Sequence, residues 1–168
     1  RRHEAGVTFG PDGGGPGPLR AATELCVDLT ILPAGDGDLD WANDRYRSID
    51  FVPSTPADEL VVAWVGPERV GVGRVVPVAP GVGELGGMYV APTARGRGVA
   101  DTIVRNLLAT TRCGTLFCIP FSDLTGIYQR CGFRRNDRSE LPPAIVAKLA
   151  LCADRYDRPV SVLCWDRE

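Results

Sequence analysis

From Glu84 to Ala100 the chain reads Glu-Leu-Gly-Gly-Met-Tyr-Val-Ala-Pro-Thr-Ala-Arg-Gly-Arg-Gly-Val-Ala, a strand pattern that runs into a glycine-arginine turn and a helix start. The first amide N–H groups of a helix have no partners within it, and the positive end of its dipole lies beside them, so a turn entering a helix gathers donors around an anion. Arg95-Gly96-Arg97-Gly98-Val99-Ala100 adds two guanidinium groups to those amides, with glycines that let the backbone come close. A pyrophosphate suits this arrangement. Taken alone, Arg-Gly-Arg-Gly also fits a solvated loop or an RNA-binding fragment, and its place between a strand and an amphipathic helix favours the phosphate. Upstream, Gly86-Gly87 is unfavourable in a strand interior. It marks either a bulge needed for packing or a close backbone approach by a ligand.

Arg95, Gly98 and Ala100 meet the Gln/Arg-x-x-Gly-x-Gly/Ala pattern of motif A in the GNAT superfamily of acyl-CoA-dependent N-acyltransferases, which this segment resembles. Ile127-Tyr128-Gln129-Arg130-Cys131-Gly132-Phe133 resembles the family's Tyr-x-x-x-Gly-Phe segment. The resemblance implies acetyl-CoA as donor substrate and a primary amine of a small molecule or amino acid as acceptor; no metal is expected, since the only histidine is His3 and the cysteine spacings do not suit zinc. It implies that Arg95, Gly96, Arg97, Gly98, Val99 and Ala100 seat the pyrophosphate. The strand at Met88, Tyr89 and Val90 would offer main-chain groups to the pantetheine arm once it splays from the strand at 116–119, with an amide near Met88 as oxyanion donor.

Glu84 stands eleven positions before Arg95, the offset of the glutamate base in the histone-acetylating branch of the superfamily; a glutamate at a strand entrance can also be merely solvated. Tyr128 is the implied acid for the departing thiolate, its phenol having a reference pKa of about 10; its alternative is to pack beside the cofactor. One departure stands out. Many members carry asparagine seven positions before this tyrosine, where Phe121 stands here, leaving Ser122 or Asp123 as helix N-cap and replacement polar contact. Cys118 lies near the reacting centre but lacks a histidine partner, so direct transfer in a ternary complex is favoured over a covalent intermediate. For the acceptor the resemblance points to Trp41, Tyr46, Arg47, Asp50, Phe51 and Arg74, with Arg47 or Arg74 available to a carboxylate.

These residues need a scaffold, and the pattern supplies one. A strand at 24–32, a helix at 39–48 opened by Gly35-Asp36-Gly37-Asp38, strands at 60–65 and 70–78 joined through Gly66-Pro67, and a strand at 83–90 come first. A helix from Val99, a buried strand at 115–119, helices at 123–131 and 141–155, and a closing strand at 160–165 follow. The expected class is α+β: a GNAT-like mixed, mostly antiparallel central sheet with helices on both faces and splayed central strands around CoA. Residues 1–22, rich in glycine and proline, read as a tail or linker, and residues 23–168 as the N-acetyltransferase domain.

Composition narrows the alternatives. The 168 residues hold 19 Lys and Arg against 21 Asp and Glu, interspersed rather than in blocks, which argues against nucleic acid or an anionic membrane as main partner. Eighteen of those cations are arginine and one, Lys148, is lysine, a bias expected of a GC-rich genome. The six cysteines lack a Cys-x-x-Cys pair and sit mostly among apolar neighbours, so they read as free core thiols in a cytoplasmic protein. A homodimer is within what the resemblance implies. Two rival readings stay open: a non-catalytic acyl-CoA sensor, which Phe121 favours, and a nucleic-acid binder using Arg95, Arg97, Arg134, Arg135 and Arg138.

Overall fold

The computed structural model describes residues 28–168. The expected tail at 1–22, the start of the expected opening strand, and Cys26 lie outside the described residues. One sheet holds seven strands in the order β1-β2-β3-β4-β5-β7-β6. They are β1 (Leu29–Pro33), β2 (Glu59–Val65), β3 (Glu68–Ala79), β4 (Val82–Val90), β5 (Thr115–Cys118), β6 (Arg134–Arg135) and β7 (Leu163–Asp166). Every neighbouring pair is antiparallel except β4 and β5. The helices among the described residues are α1 (Asp38–Ser48), α2 (Val99–Thr110), α3 (Thr125–Arg130) and α4 (Pro143–Arg155). None is long and apolar enough to cross a membrane.

Strand alternation divides the core between the two faces of the sheet. Val61 and Ala63 of β2, Val75 of β3, and Leu116 and Cys118 of β5 pack with Val99, Ile103, Val104 and Leu107 of α2. Leu60 and Val62 of β2 and Val72 of β3 point the other way, onto Ala42 and Tyr46 of α1. Phe117 of β5 and Cys164 of β7 continue that second face under Ile145 of α4. The sheet thus carries α2 and α3 on one side and α1 and α4 on the other, as the period-2 and period-3.6 patterns expected. The five described cysteines are buried free thiols.

Several boundaries differ from expectation. Ser122 does not cap a helix: Ser122–Leu124 form a 3-10 turn, α3 begins only at Thr125, and Leu124 is its N-cap without a side-chain bond. The Ser122 hydroxyl is instead engaged by the Ser161 hydroxyl at 2.9 Å, and Asp123 pairs with Arg158. The closing strand starts at Leu163, since Val160 makes only an isolated bridge with Phe121. α4 starts at Pro143, where a missing N–H costs nothing, rather than at Leu141. β6, two residues long, is too short to leave a sequence pattern.

The approach of α2 to β3 depends on absent side chains. A Cβ on Gly73 would stand 2.6 Å from Ile103 Cγ2 and 2.7 Å from Met88 Sδ. Gly73→Ala should therefore destabilise the fold by about 1–3 kcal/mol, read as a lower midpoint in denaturant unfolding at unchanged slope.

Candidate functional site

β4 is the strand on which the site is built. Its register against β3 shifts between Val72↔Tyr89 and Arg74↔Gly86, so Gly87 and Met88 together face the single residue Gly73. Gly87 has φ +60, the conformation that favours glycine in a bulge of this kind. The extra residue resets the alternation: Leu85 and Met88 both pack toward α2, while Tyr89 turns to Trp41 of α1, ring centroids 6.4 Å apart.

On its other edge β4 pairs with β5 only from Val82 to Glu84. Beyond Glu84↔Phe117 the two strands part, leaving Leu85–Val90 without a strand partner on that side. A cleft of about 230 Å³ opens there. Glu84, Met88, Tyr89, Val90 and Tyr128 line it, together with Phe51 and Phe121. A second groove of about 450 Å³, lined by Arg95, Gly96, Gly98, Val99, Ala100 and the near side of α3, shares Val90, Arg95 and Ala100 with the cleft. The fork and the glycine-arginine turn therefore form one continuous depression.

The turn has the expected form. Gly98 caps α2 with φ 77, and no side chain occupies the first-turn amides. Arg95 is anchored by its Nε, which donates to the Val90 carbonyl at 3.0 Å. Two acidic groups line the groove, and each is paired: Asp101, in the first turn, makes a two-pronged contact with Arg130 of α3 at 3.0 and 3.1 Å, and Asp123 pairs with Arg158 at 2.8 Å. Arg97 is exposed and lies outside both linings.

Glu84 is buried, 7% exposed, and accepts a hydrogen bond from Lys148 Nζ of α4. Tyr128 of α3 lines the cleft and packs edge-on against Phe133, centroids 5.9 Å apart. Burial pushes its phenol above the usual range, with Cys118, Cys131 and Glu84 adding to the shift. Burial likewise raises the Cys118 thiol, which disfavours its thiolate.

The acceptor candidates are dispersed. Phe51 lines the cleft. Tyr46 is fully buried, and its hydroxyl donates to the Gly87 carbonyl at 2.7 Å. Arg74 is 4% exposed and spends its donors on Ser54 Oγ at 2.6 Å and the Val52 carbonyl at 3.0 Å, above the rings of Tyr46 and Phe51. Arg47 lies on the solvent face of α1, paired with Asp44. Trp41 sits beneath Arg69. Asp50 pairs with Arg155 of α4 at 2.6 Å. Ser122 lines neither hollow.

Sequence reasoning missed α4 as a wall of the site. Lys148, Leu151, Cys152, Arg155 and Tyr156 all line the cleft. The signal was present in composition: the chain's single lysine interrupts the inward stripe of an amphipathic helix.

Residues 56–135 match the family model of the acetyltransferase (GNAT) domain. Solved structures share the fold at low identity. An N-acetylglutamate synthase from Neisseria gonorrhoeae, complexed with coenzyme A and N-acetyl-glutamate, gives a TM-score of 0.65 at 17% identity over 83% of this chain and 35% of its own. The chain thus spans little more than a third of that protein's length. Rv2747 from Mycobacterium tuberculosis, in complex with CoA, gives 0.66 at 15% identity over 83% of this chain and 99% of its own. A GNAT family acetyltransferase from Elizabethkingia anophelis with acetyl-CoA bound gives 0.57 at 19%, over 83% and 99%. No curated protein sequence matches the chain.

The raised groups carry a pH signature. Burial lifts the thiols of Cys118, Cys131 and Cys152 above 9.0 and the phenols of Tyr46 and Tyr128 above 10.0. A group raised by folding stabilises the fold below its unfolded value and loses that contribution as pH climbs past it. Unfolding free energy should fall from about pH 9 upward and more steeply beyond about pH 10. In Tyr128→Phe the fall beyond pH 10 should be shallower, measured by denaturant titration across that range.

Proposed function

On the premise that residues 56–135 carry a GNAT acetyltransferase domain within a GNAT fold, we propose that the protein is an acetyl-CoA-dependent N-acetyltransferase. It transfers acetyl directly, in a ternary complex, to a primary amine of a small molecule or amino acid. The observation that carries this reading is the fork at Glu84: β4 leaves β5 there, and the opening joins the glycine-arginine groove at the start of α2.

The residues present fit the donor. Positions 96 and 98 have open space around them, a Cβ at either meeting nothing within 4 Å, so a diphosphate finds room beside unclaimed amides. The open edge of β4 at Met88–Val90 offers main-chain groups to an extended arm, as a strand does. Acetyl-CoA, when bound, supplies an acyl group activated as a thioester. The amide at Met88 is the proposed donor to charge developing on the acyl oxygen. Glu84 takes the proton of the incoming ammonium, directly or through water. Tyr128 gives its proton to the departing sulfur, and its raised pKa keeps that proton in place at alkaline pH. The acceptor end is bounded by Phe51 and by α4. A reducing, cytosolic setting suits the free thiols.

Two observations favour the sensor reading: Phe121 stands where many members carry asparagine, and Glu84 already has a partner in Lys148. Thiol release over a panel of amines separates the two, and tight CoA binding without release from any amine would favour the sensor.

Tyr128→Phe should lower kcat by about 10²-fold or more while leaving the Kd for CoA unchanged. Full activity in that variant would remove the assigned role. Gly98→Val forces a branched side chain into a left-handed backbone at the helix cap. It should cost about 1–2 kcal/mol of stability and abolish CoA binding measured by calorimetry. An unchanged Kd would count against the cradle.

A further inference from the structure

Lys148 is the one primary amine among nineteen side-chain cations, and α4 delivers it to the bottom of the cleft. It shares the inward stripe of that helix with Ile145, Leu149 and Cys152. Its side chain is 25% exposed, its Nζ donates to Glu84 Oε1 and lies 5.8 Å from the Phe51 ring centroid. The same Nζ lies 3.8 Å from where a Cβ on Gly86 would stand, against the backbone of β4 two residues before Met88. A substrate amine that surrenders its proton to Glu84 and attacks an acyl carbon held at Met88 must come to this place. A resident amine already occupies it. The guanidinium groups elsewhere in the chain could not serve as nucleophiles, since they remain protonated.

We propose that Lys148 is itself an acyl acceptor: with acetyl-CoA bound and no external amine in the cleft, it becomes Nε-acetyl-lysine and CoA is released. The inference rests on the acyl-transfer reading above. The ammonium of Lys148 passes one proton to Glu84, and its nitrogen lone pair forms the new C–N bond at the thioester carbonyl carbon. The C–S bond breaks, and the sulfur leaves with its electron pair and takes the Tyr128 proton. The second proton of the nitrogen leaves as the adduct collapses and passes through solvent to Tyr128, and solvent accepts the one on Glu84, so one proton is released overall. The product has no ammonium to pair with Glu84 and fills the acceptor's place with an acetamide, so the reaction is self-limiting and sets how much of the chain remains competent.

The test is to incubate the full chain with acetyl-CoA and no amine, then follow intact mass and map the acetylated peptide. Since no other lysine exists, an ε-acetyl group can only be at position 148. The expected result is one acetyl group on that peptide, at a rate per chain that saturates with acetyl-CoA and does not depend on chain concentration. Lys148→Arg should lose it entirely, and Glu84→Gln should slow it by about 10²-fold. Tyr128→Phe leaves the Glu84–Lys148 contact in place and should slow it too, so the expectation survives if Glu84→Gln folds poorly. An unmodified Lys148 in a chain that acetylates an external amine overturns the inference and spares the acyl-transfer reading. Labelling that rises linearly with acetyl-CoA, equally in every folded variant that keeps Lys148, overturns it as solution chemistry. A chain that neither labels itself nor releases thiol with any amine overturns both.

Discussion

The left-handed glycine at position 87 is the constraint on which the site depends, because three separate parts of the molecule are fitted around it. Its carbonyl receives the Tyr46 hydroxyl, and a Cβ there would stand 2.6 Å from that hydroxyl and 2.9 Å from Arg74 Nε. Tyr46 fixes α1 to β4 through a bond made wholly out of water, where an unmatched hydroxyl is costly. Arg74, stacked over Tyr46 and Phe51, holds the Val52–Ser54 segment by two donors. Ser54 is in turn clasped by Asn43 of α1, through both its N–H and its carbonyl. The bulge, the first helix and the loop that carries Phe51 into the cleft thus form one interlocked unit. A side chain at position 87 would strain the backbone and dislodge that unit together.

The same bulge explains how a strand can belong to a core and still line the cleft. By inserting one residue it lets Leu85, Met88 and Val90 all pack with the α2 side, though regular alternation would place 85 and 88 on opposite faces. The strand bends at the point where β5 falls away, so its free edge meets the cleft rather than another strand. The groove at α2 follows from this, since Arg95 is tied by its Nε to the last carbonyl of the strand, that of Val90.

Much of this was legible in the chain because it is local. The strands of the central hairpin and the start of α2 are set by short apolar periods and by Gly-Pro turns, and they fell within a residue or two of expectation. Gly86-Gly87 pointed to a bulge as one of two readings, because glycine weakens a strand interior, and the register shift at Gly87 bears that one out. What the sequence left hidden was pairing at a distance. Arg74 and Tyr46 read as acceptor contacts because both carry polar groups near the right elements; only the fold reveals that Ser54, Val52 and Gly87 consume those groups. Ser122 read as a cap because it precedes a helix, but Ser161 reaches it from 39 residues away. Periodicity says which stripe of α4 turns inward and nothing about the strand it will meet.

That last gap matters most for Glu84. A carboxylate with so little exposure needs a cation or a set of donors, for its burial alone would cost several times the value of an ordinary hydrogen bond. Arginine could meet the charge equally well, and this chain uses arginine nearly everywhere else. Two properties separate the alternatives at this position. A guanidinium is planar and forked and would bridge both carboxylate oxygens, whereas an ammonium is compact and engages Oε1 alone, leaving Oε2 to other partners. A lysine also sits on a flexible stem and can yield its place. On the acyl-transfer reading proposed above, a partner that engages one oxygen from a flexible stem can be exchanged for the substrate's own ammonium, which a forked guanidinium bound to both oxygens would resist.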